Sequence, residues 1–217
     1  MNRKRLIITV TSLALVVVAV IAAVVGVLAA SQQNVTSTLS VSYQANNVKA
    51  IVSLDWKYEN DTNWTSAGSQ SFIATEGTTT KSLTAVNADQ LGSKGTNGAT
   101  FDRYVIFKFT IHNDYAAAEG RQVTSTLTYT APTGDNLKNV TVEWDQSDSQ
   151  DPAEFSFSGT TFTGAAYSTT APTSAVTIAQ AGTTYYYLVV GITNVDADAA
   201  FTAASVRITL NSVATSA

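Results

Sequence analysis

The chain has 217 residues, no cysteine, one histidine and a formal net charge of −4. That length suits one all-β domain with a real core behind a targeting segment. The missing cysteines exclude a disulfide framework, thiolate metal sites, a Cys nucleophile and a lipobox-type lipid anchor. No basic block follows Arg5, which argues against nucleic acid or an anionic membrane surface as a partner. Charged residues are only 13% and hydrophobic residues 45%, a balance that suits a sheet protein with a hydroxyl-rich exterior and not a disordered chain.

The chain opens with Arg3, Lys4 and Arg5, then runs from Leu6 to Ala30 without a charge. Secretory apolar regions span about 7–15 residues and a bilayer helix needs about 20, so this run is long enough to cross. Its end, Val27-Leu28-Ala29-Ala30-Ser31, is small enough for signal peptidase. A cut after Ala29 places Val27 three positions before it; a cut after Ala30 places Leu28 there, which suits the enzyme less. A cleaved leader is favoured over a retained anchor, and membrane contact is expected only through this segment before cleavage. A mature chain without the three basic residues keeps nine basic and sixteen acidic residues, a net of −7.

Val35 to Tyr43 alternates, with Val35, Leu39, Val41 and Tyr43 on one face and Thr36, Thr38, Ser40 and Ser42 on the other. This is the pattern of a half-buried strand. Gln44 to Asn47 reads as a turn or hinge. Val48 to Tyr58 alternates through Val52, Leu54 and Trp56; a helix would smear those residues around its circumference. Glu59 to Gly68 reads as a loop, Gln70 to Ala74 and Lys81 to Val86 as short strands, and Asn87 to Thr100 as the longest loop. Tyr104 to Ile111 is almost continuously apolar, as a strand covered on both faces would be. Val123 to Tyr129, Val140 to Trp144, Phe155 with Phe157, Val176 with Ile178, Tyr185 to Thr193 and Phe201 to Leu210 complete the series. Nine to eleven strands separated by turns predict an all-β, jelly-roll-like or Ig-like β-sandwich, or a small barrel, preceded by the N-terminal apolar helix. The expected organisation is a signal peptide or membrane anchor over 1–30, a strand and hinge over 31–46, and a β-sandwich domain over 47–217.

Candidate chemistry is sparse. His112, at a strand end, has no Cys, His-Glu-x-x-His or Gly-x-Ser-x-Gly motif to serve it. Asn194-x-Asp196-x-Asp198 opens like a calcium loop, but Ala199 and Ser205 stand where an EF-hand needs Gly and Glu. Asp145, Asp148 and Asp151 read as a solvated loop. Asp55, Glu59 and Asp61 offer a carboxylate pair of the kind any acidic protein offers. Trp56 and Trp144 lie in phase with core residues, whereas Trp64 sits in a polar loop and is the best exposed aromatic for stacking on a ligand. No catalysis, metal or cofactor is expected.

The first strand has two readings. It pairs within its own domain, or it is donated to a neighbour's sheet, an association made of backbone hydrogen bonds and alternating apolar contacts. Repeated head to tail, donation does not close and builds a filament. Alternation alone does not separate the two.

In order and texture the chain resembles the secreted fibre-forming proteins of the TasA and camelysin type from Gram-positive bacteria. The features are the long leader running into Ser37-Thr-Leu-Ser-Val-Ser-Tyr43, the Trp-containing strand Ala50 to Lys57, Tyr104 to Asn113, and Tyr185 to Asn194. Residues 29–32, Ala-Ala-Ser-Gln, replace the aromatic residues common near that family's cleavage site. The resemblance implies a jelly-roll-like domain that polymerises by donating its N-terminal strand. The expected function is a secreted structural subunit of an extracellular or biofilm-matrix filament, a homo-oligomer whose other partner is signal peptidase during export. In it Val35, Leu39, Val41 and Tyr43 fill the neighbour's groove. The alternative is a secreted or membrane-anchored monomeric β-sandwich module that binds carbohydrate or a surface.

Overall fold

The computed structural model describes residues 34–58, 61–74, 77–93, 103–131, 140–150, 156–158, 161–163, 167–192 and 204–215. The apolar leader, with Ala29, Ala30 and Ser31, lies outside these residues, as do Asn194 to Asp198. The described residues form twelve strands: β1 (Asn34–Asn46), β2 (Ala50–Tyr58), β3 (Thr65–Phe72), β4 (Thr78–Ser93), β5 (Arg103–Asn113), β6 (Arg121–Thr130), β7 (Val140–Ser147), β8 (Ser156–Ser158), β9 (Thr161–Thr163), β10 (Val176–Ile178), β11 (Thr183–Ile192) and β12 (Ala204–Ala214). A single 3-10 turn, Ala117–Glu119, is the one helical element among them.

The strands make the predicted β-sandwich. One five-stranded sheet has the order β10-β6-β12-β1-β4 and the other β3-β2-β5-β11-β7, while β8 and β9 form a separate hairpin. Apart from the β2–β3 pair, consecutive strands of the two large sheets lie in opposite sheets. The inner faces meet in one core. Leu39, Val41, Tyr43 and Ala45 of β1 are buried with Val52 and Leu54 of β2, Phe107 and Phe109 of β5, and Val206 and Ile208 of β12. Trp144 closes one side of it, its ring stacked on Phe109 at 6.2 Å and met edge-on by Tyr129 at 4.9 Å.

The continuous apolar run in β5 has its explanation on the outside of the second sheet. There Tyr104, Ile106, Tyr187 and Val189 form a second buried cluster, covered by Trp64, Tyr167 and Tyr185. The strand is therefore buried on both faces, as its composition predicts.

Several boundaries differ from the sequence reading; β7, for one, runs through Asp145 to Ser147, inside the expected acidic loop, because β11 pairs with it there. The first strand does not stop at Tyr43: Gln44, Ala45 and Asn46 stay in the ladder, opposite Thr80, Thr79 and Thr78. The turn to β2 is only residues 47–49, and Asn47 takes it with a left-handed φ of 54°, a conformation that Asn tolerates better than most residues. Secondly, β3 begins at Thr65, inside the expected loop, because backbone pairing with β2 holds a polar segment as an edge strand. Finally, β4 continues through Asn87 to Ser93, where β1 supplies its hydrogen-bond partners across a bulge between Val35 and Ser37.

Candidate functional site: the first strand and its slot

Strand β1 lies inside its sheet, not at its edge. On one side it pairs antiparallel with β4, and on the other it runs parallel to β12, from Leu39 opposite Ala204 to Asn46 opposite Asn211. The first and last of the twelve strands are thus neighbours. Alternation then divides β1 by face: Leu39, Val41, Tyr43 and Ala45 point into the core, and Ser40 and Ser42 point outward. Of the four residues expected to form the donor face, Leu39, Val41 and Tyr43 are buried, while Val35 is placed by its backbone register opposite Gly92.

Tyr43 is the anchor of this strand. Its ring is fully buried and its hydroxyl donates to the Ser53 carbonyl at 3.1 Å, tying β1 to β2 in the facing sheet. Burial, assisted by the nearby Asp55 charge, pushes the phenol far above its ordinary value, so it stays neutral. Burying each large apolar side chain is worth about 1.5–3 kcal/mol, against a net stability of about 5–15 kcal/mol for a whole domain. An empty slot would therefore remove most of the sandwich's stability and expose two sheet edges. Something must fill it, either this strand or another with the same alternation.

The other sequence candidates that fall on described residues have structural employment; Glu59 and Asp151 lie outside those residues. Trp64 is half-buried, contrary to the expectation of an exposed ring. It packs against Tyr187 at 6.5 Å, with the ammonium groups of Lys108 and Lys57 4.3 and 4.8 Å from the ring centre. Lys57 is close by in sequence, at the end of β2, but Lys108 on β5 and Tyr187 on β11 are far away, so the polar loop around Trp64 gave no sign of them. Asp55 pairs with the buried Lys108 at 3.8 Å, and Asp61 accepts from the Tyr58 N–H at 3.1 Å. His112 shares a 2.9 Å hydrogen bond with the Thr183 hydroxyl. Asp148 accepts from the Thr184 hydroxyl at 3.2 Å. No group of three or more potential metal ligands occurs among the described residues.

Sequence reasoning missed Asn113. The residue is fully buried, and its side-chain amide donates to the carbonyls of Arg121 and Ile178 at 3.2 and 3.0 Å while its oxygen accepts from the Tyr115 N–H at 3.0 Å. The Tyr115 hydroxyl then reaches the Asn47 carbonyl at 2.8 Å. This network ties the end of β5 to β6, to β10 and to the turn after β1. Its only sequence signal was an Asn at the end of an apolar strand.

No family model matches the chain, and no curated protein matches it. Among solved structures it is similar to a point variant of the major pilin from Streptococcus pyogenes, at 9% sequence identity and a TM-score of 0.21, over 81% of this chain and 48% of the pilin chain. The chain thus spans about half of that protein. A likeness so slight carries no argument about this chain.

Proposed function

We propose that the protein is a secreted, non-enzymatic subunit of an extracellular filament, assembled by donation of its N-terminal strand to the next subunit. The observation that carries this reading is the position of β1. It fills a central slot with buried side chains, yet a turn of three residues, 47–49, is its one covalent link to β2. Withdrawing it unthreads no other described strand, and an identical strand from a neighbour restores every contact. The export-type leader and the resemblance to TasA- and camelysin-type proteins support the same reading.

The second reading, a monomeric binding module, is favoured by the pairing of β1 within its own chain. One experiment separates the two. Ser42 and Ser82 face each other across β1 and β4, and the chain has no other thiol once both become Cys. In the assembled, oxidised Ser42→Cys, Ser82→Cys protein, donation gives a ladder of covalently linked subunits on a denaturing gel. Cross-linking confined to single chains would overturn donation and leave the monomeric module.

A further inference from the structure

The outer face of the β1 sheet carries a groove of about 550 Å³, within the roughly 300–1,000 Å³ range typical of ligand sites. Strand register builds it in rows. Thr84, Ser40, Ser205 and Thr130 align across β4, β1, β12 and β6. The next row is Ser82, Ser42, Arg207 and Thr128. Strands lie about 4.8 Å apart and same-face neighbours along a strand about 6.7 Å apart, so the hydroxyls form a regular lattice. No carboxylate and no aromatic ring lines the groove, although the chain as a whole is acidic.

Arg207 gives the lattice its charge, and its situation is unusual in this molecule. Lys49 is paired with Glu119, Lys108 with Asp55, Lys57 lies over Trp64, Lys81 donates to the Ser71 carbonyl, and Arg121 donates to Ser212. Arg207 has no such partner among the described side chains, and it is exposed in the groove. A guanidinium presents a rigid fork matched to a planar carboxylate. The hydroxyls around it donate and accept, as sugar hydroxyls do. A lone cation in an acidic protein is poorly suited to a polyphosphate backbone, and the lining has no apolar pocket for a peptide side chain.

We propose that this groove binds a carboxylate-bearing polysaccharide, a uronic-acid glycan, with the uronate carboxylate on Arg207 and ring hydroxyls on the Ser and Thr rows. This does not rest on strand donation. The slot is occupied by β1 in either state, so Ser40 and Ser42 line the groove from the chain's own strand or from a neighbour's.

Calorimetric titration of the exported protein with oligogalacturonate tests it, with a neutral dextran oligomer of equal length alongside. The expected result is oligogalacturonate binding that weakens with salt, and little binding of dextran. Arg207→Ala should weaken binding at least about tenfold, the loss of a two-pronged charged contact, and Arg207→Lys should fall between the two. Thr128→Val, which changes no charge, should also weaken it. Unchanged thermal unfolding of these exposed-face variants guards against misfolding. Absence of oligogalacturonate binding, equal affinity for dextran, or an Arg207→Ala protein that binds as before would each overturn the proposal. A filament that forms normally in the Arg207→Ala variant keeps this outcome separate from that of the donation test.

Discussion

Asn113 satisfies two buried backbone groups and one part-buried one with a single side chain, so its removal takes a partner from all three at once. Orphaned buried groups cost about 1–3 kcal/mol each before relaxation. Asn113→Leu is therefore expected to lose about 3 kcal/mol or more in denaturant unfolding, while the neighbouring His112→Ala, which gives up one partly buried hydrogen bond, should lose about 1 kcal/mol or less. Equal losses would show that the Asn113 network is not what holds this corner. The Asp55–Lys108 pair makes a second asymmetric case. Lys108 is buried and Asp55 is partly exposed, so Asp55→Ala removes the carboxylate that faces a poorly solvated ammonium and should cost about 3 kcal/mol. Lys108→Met removes the buried charge and keeps an unbranched apolar side chain in its place, and should be the milder change. Denaturation midpoints of the two variants check the ordering, and a Lys108→Met protein less stable than Asp55→Ala would reverse the argument.

Among the elements, β1 is the one whose loss the sandwich tolerates least and whose replacement is simplest. A chain reduced to residues 47–217 is expected to lose cooperative thermal unfolding, because β12 and β4 would face each other across a trench lined by Val206, Ile208 and Leu83. Adding a peptide of residues 34–46 in excess should restore the transition and raise its midpoint with peptide concentration, as any ligand of the folded state does. A truncated chain that melts as the full one does would mean the slot closes without a strand. Elements of this kind were legible in the sequence because period-two alternation reports burial directly: β1, β2, β6 and β12 each carry a mainly apolar face and a mainly polar face. The start of β3 and the end of β4 were not legible. Thr65 to Ser71 carries no large apolar side chain, and Asn87 to Ser93 is rich in turn-forming residues, so both are strands because a neighbour supplies hydrogen bonds. The same limit hid the environment of Trp64 and the lattice around Arg207. Both depend on register between distant strands, and alternation within one strand contains no register.

Across the whole molecule, three phenols in different strands join the two sheets. Tyr43 of β1 reaches Ser53, Tyr186 of β11 meets the Ser125 hydroxyl at 2.8 Å, and Tyr129 of β6 packs on Trp144. Burial raises all three: Tyr129 is pushed up to about 12, Tyr43 rises further, and Tyr186 rises although its bond to Ser125 opposes the shift. In the unfolded chain each titrates near 10. Below pH 10 both states hold these protons and the folded state has its full stability. Above pH 10 the unfolded chain releases them first, so stability falls as pH rises, until about pH 12 for Tyr129 and beyond it for Tyr43. The slope for the fully buried Tyr43 is about 1.4 kcal/mol per pH unit, and the other two act in the same direction. The sandwich is therefore expected to unfold in alkali within a narrow range above pH 10, with phenolate absorbance from these residues rising together with loss of the fold. Tyr43→Phe should start less stable at pH 7, by the one hydrogen bond to Ser53, yet lose stability less steeply above pH 10, so that its curve approaches that of the natural chain in alkali. A pair of parallel curves would mean that Tyr43 ionises equally well in the folded state, and that the strand filling the slot is not sealed from water.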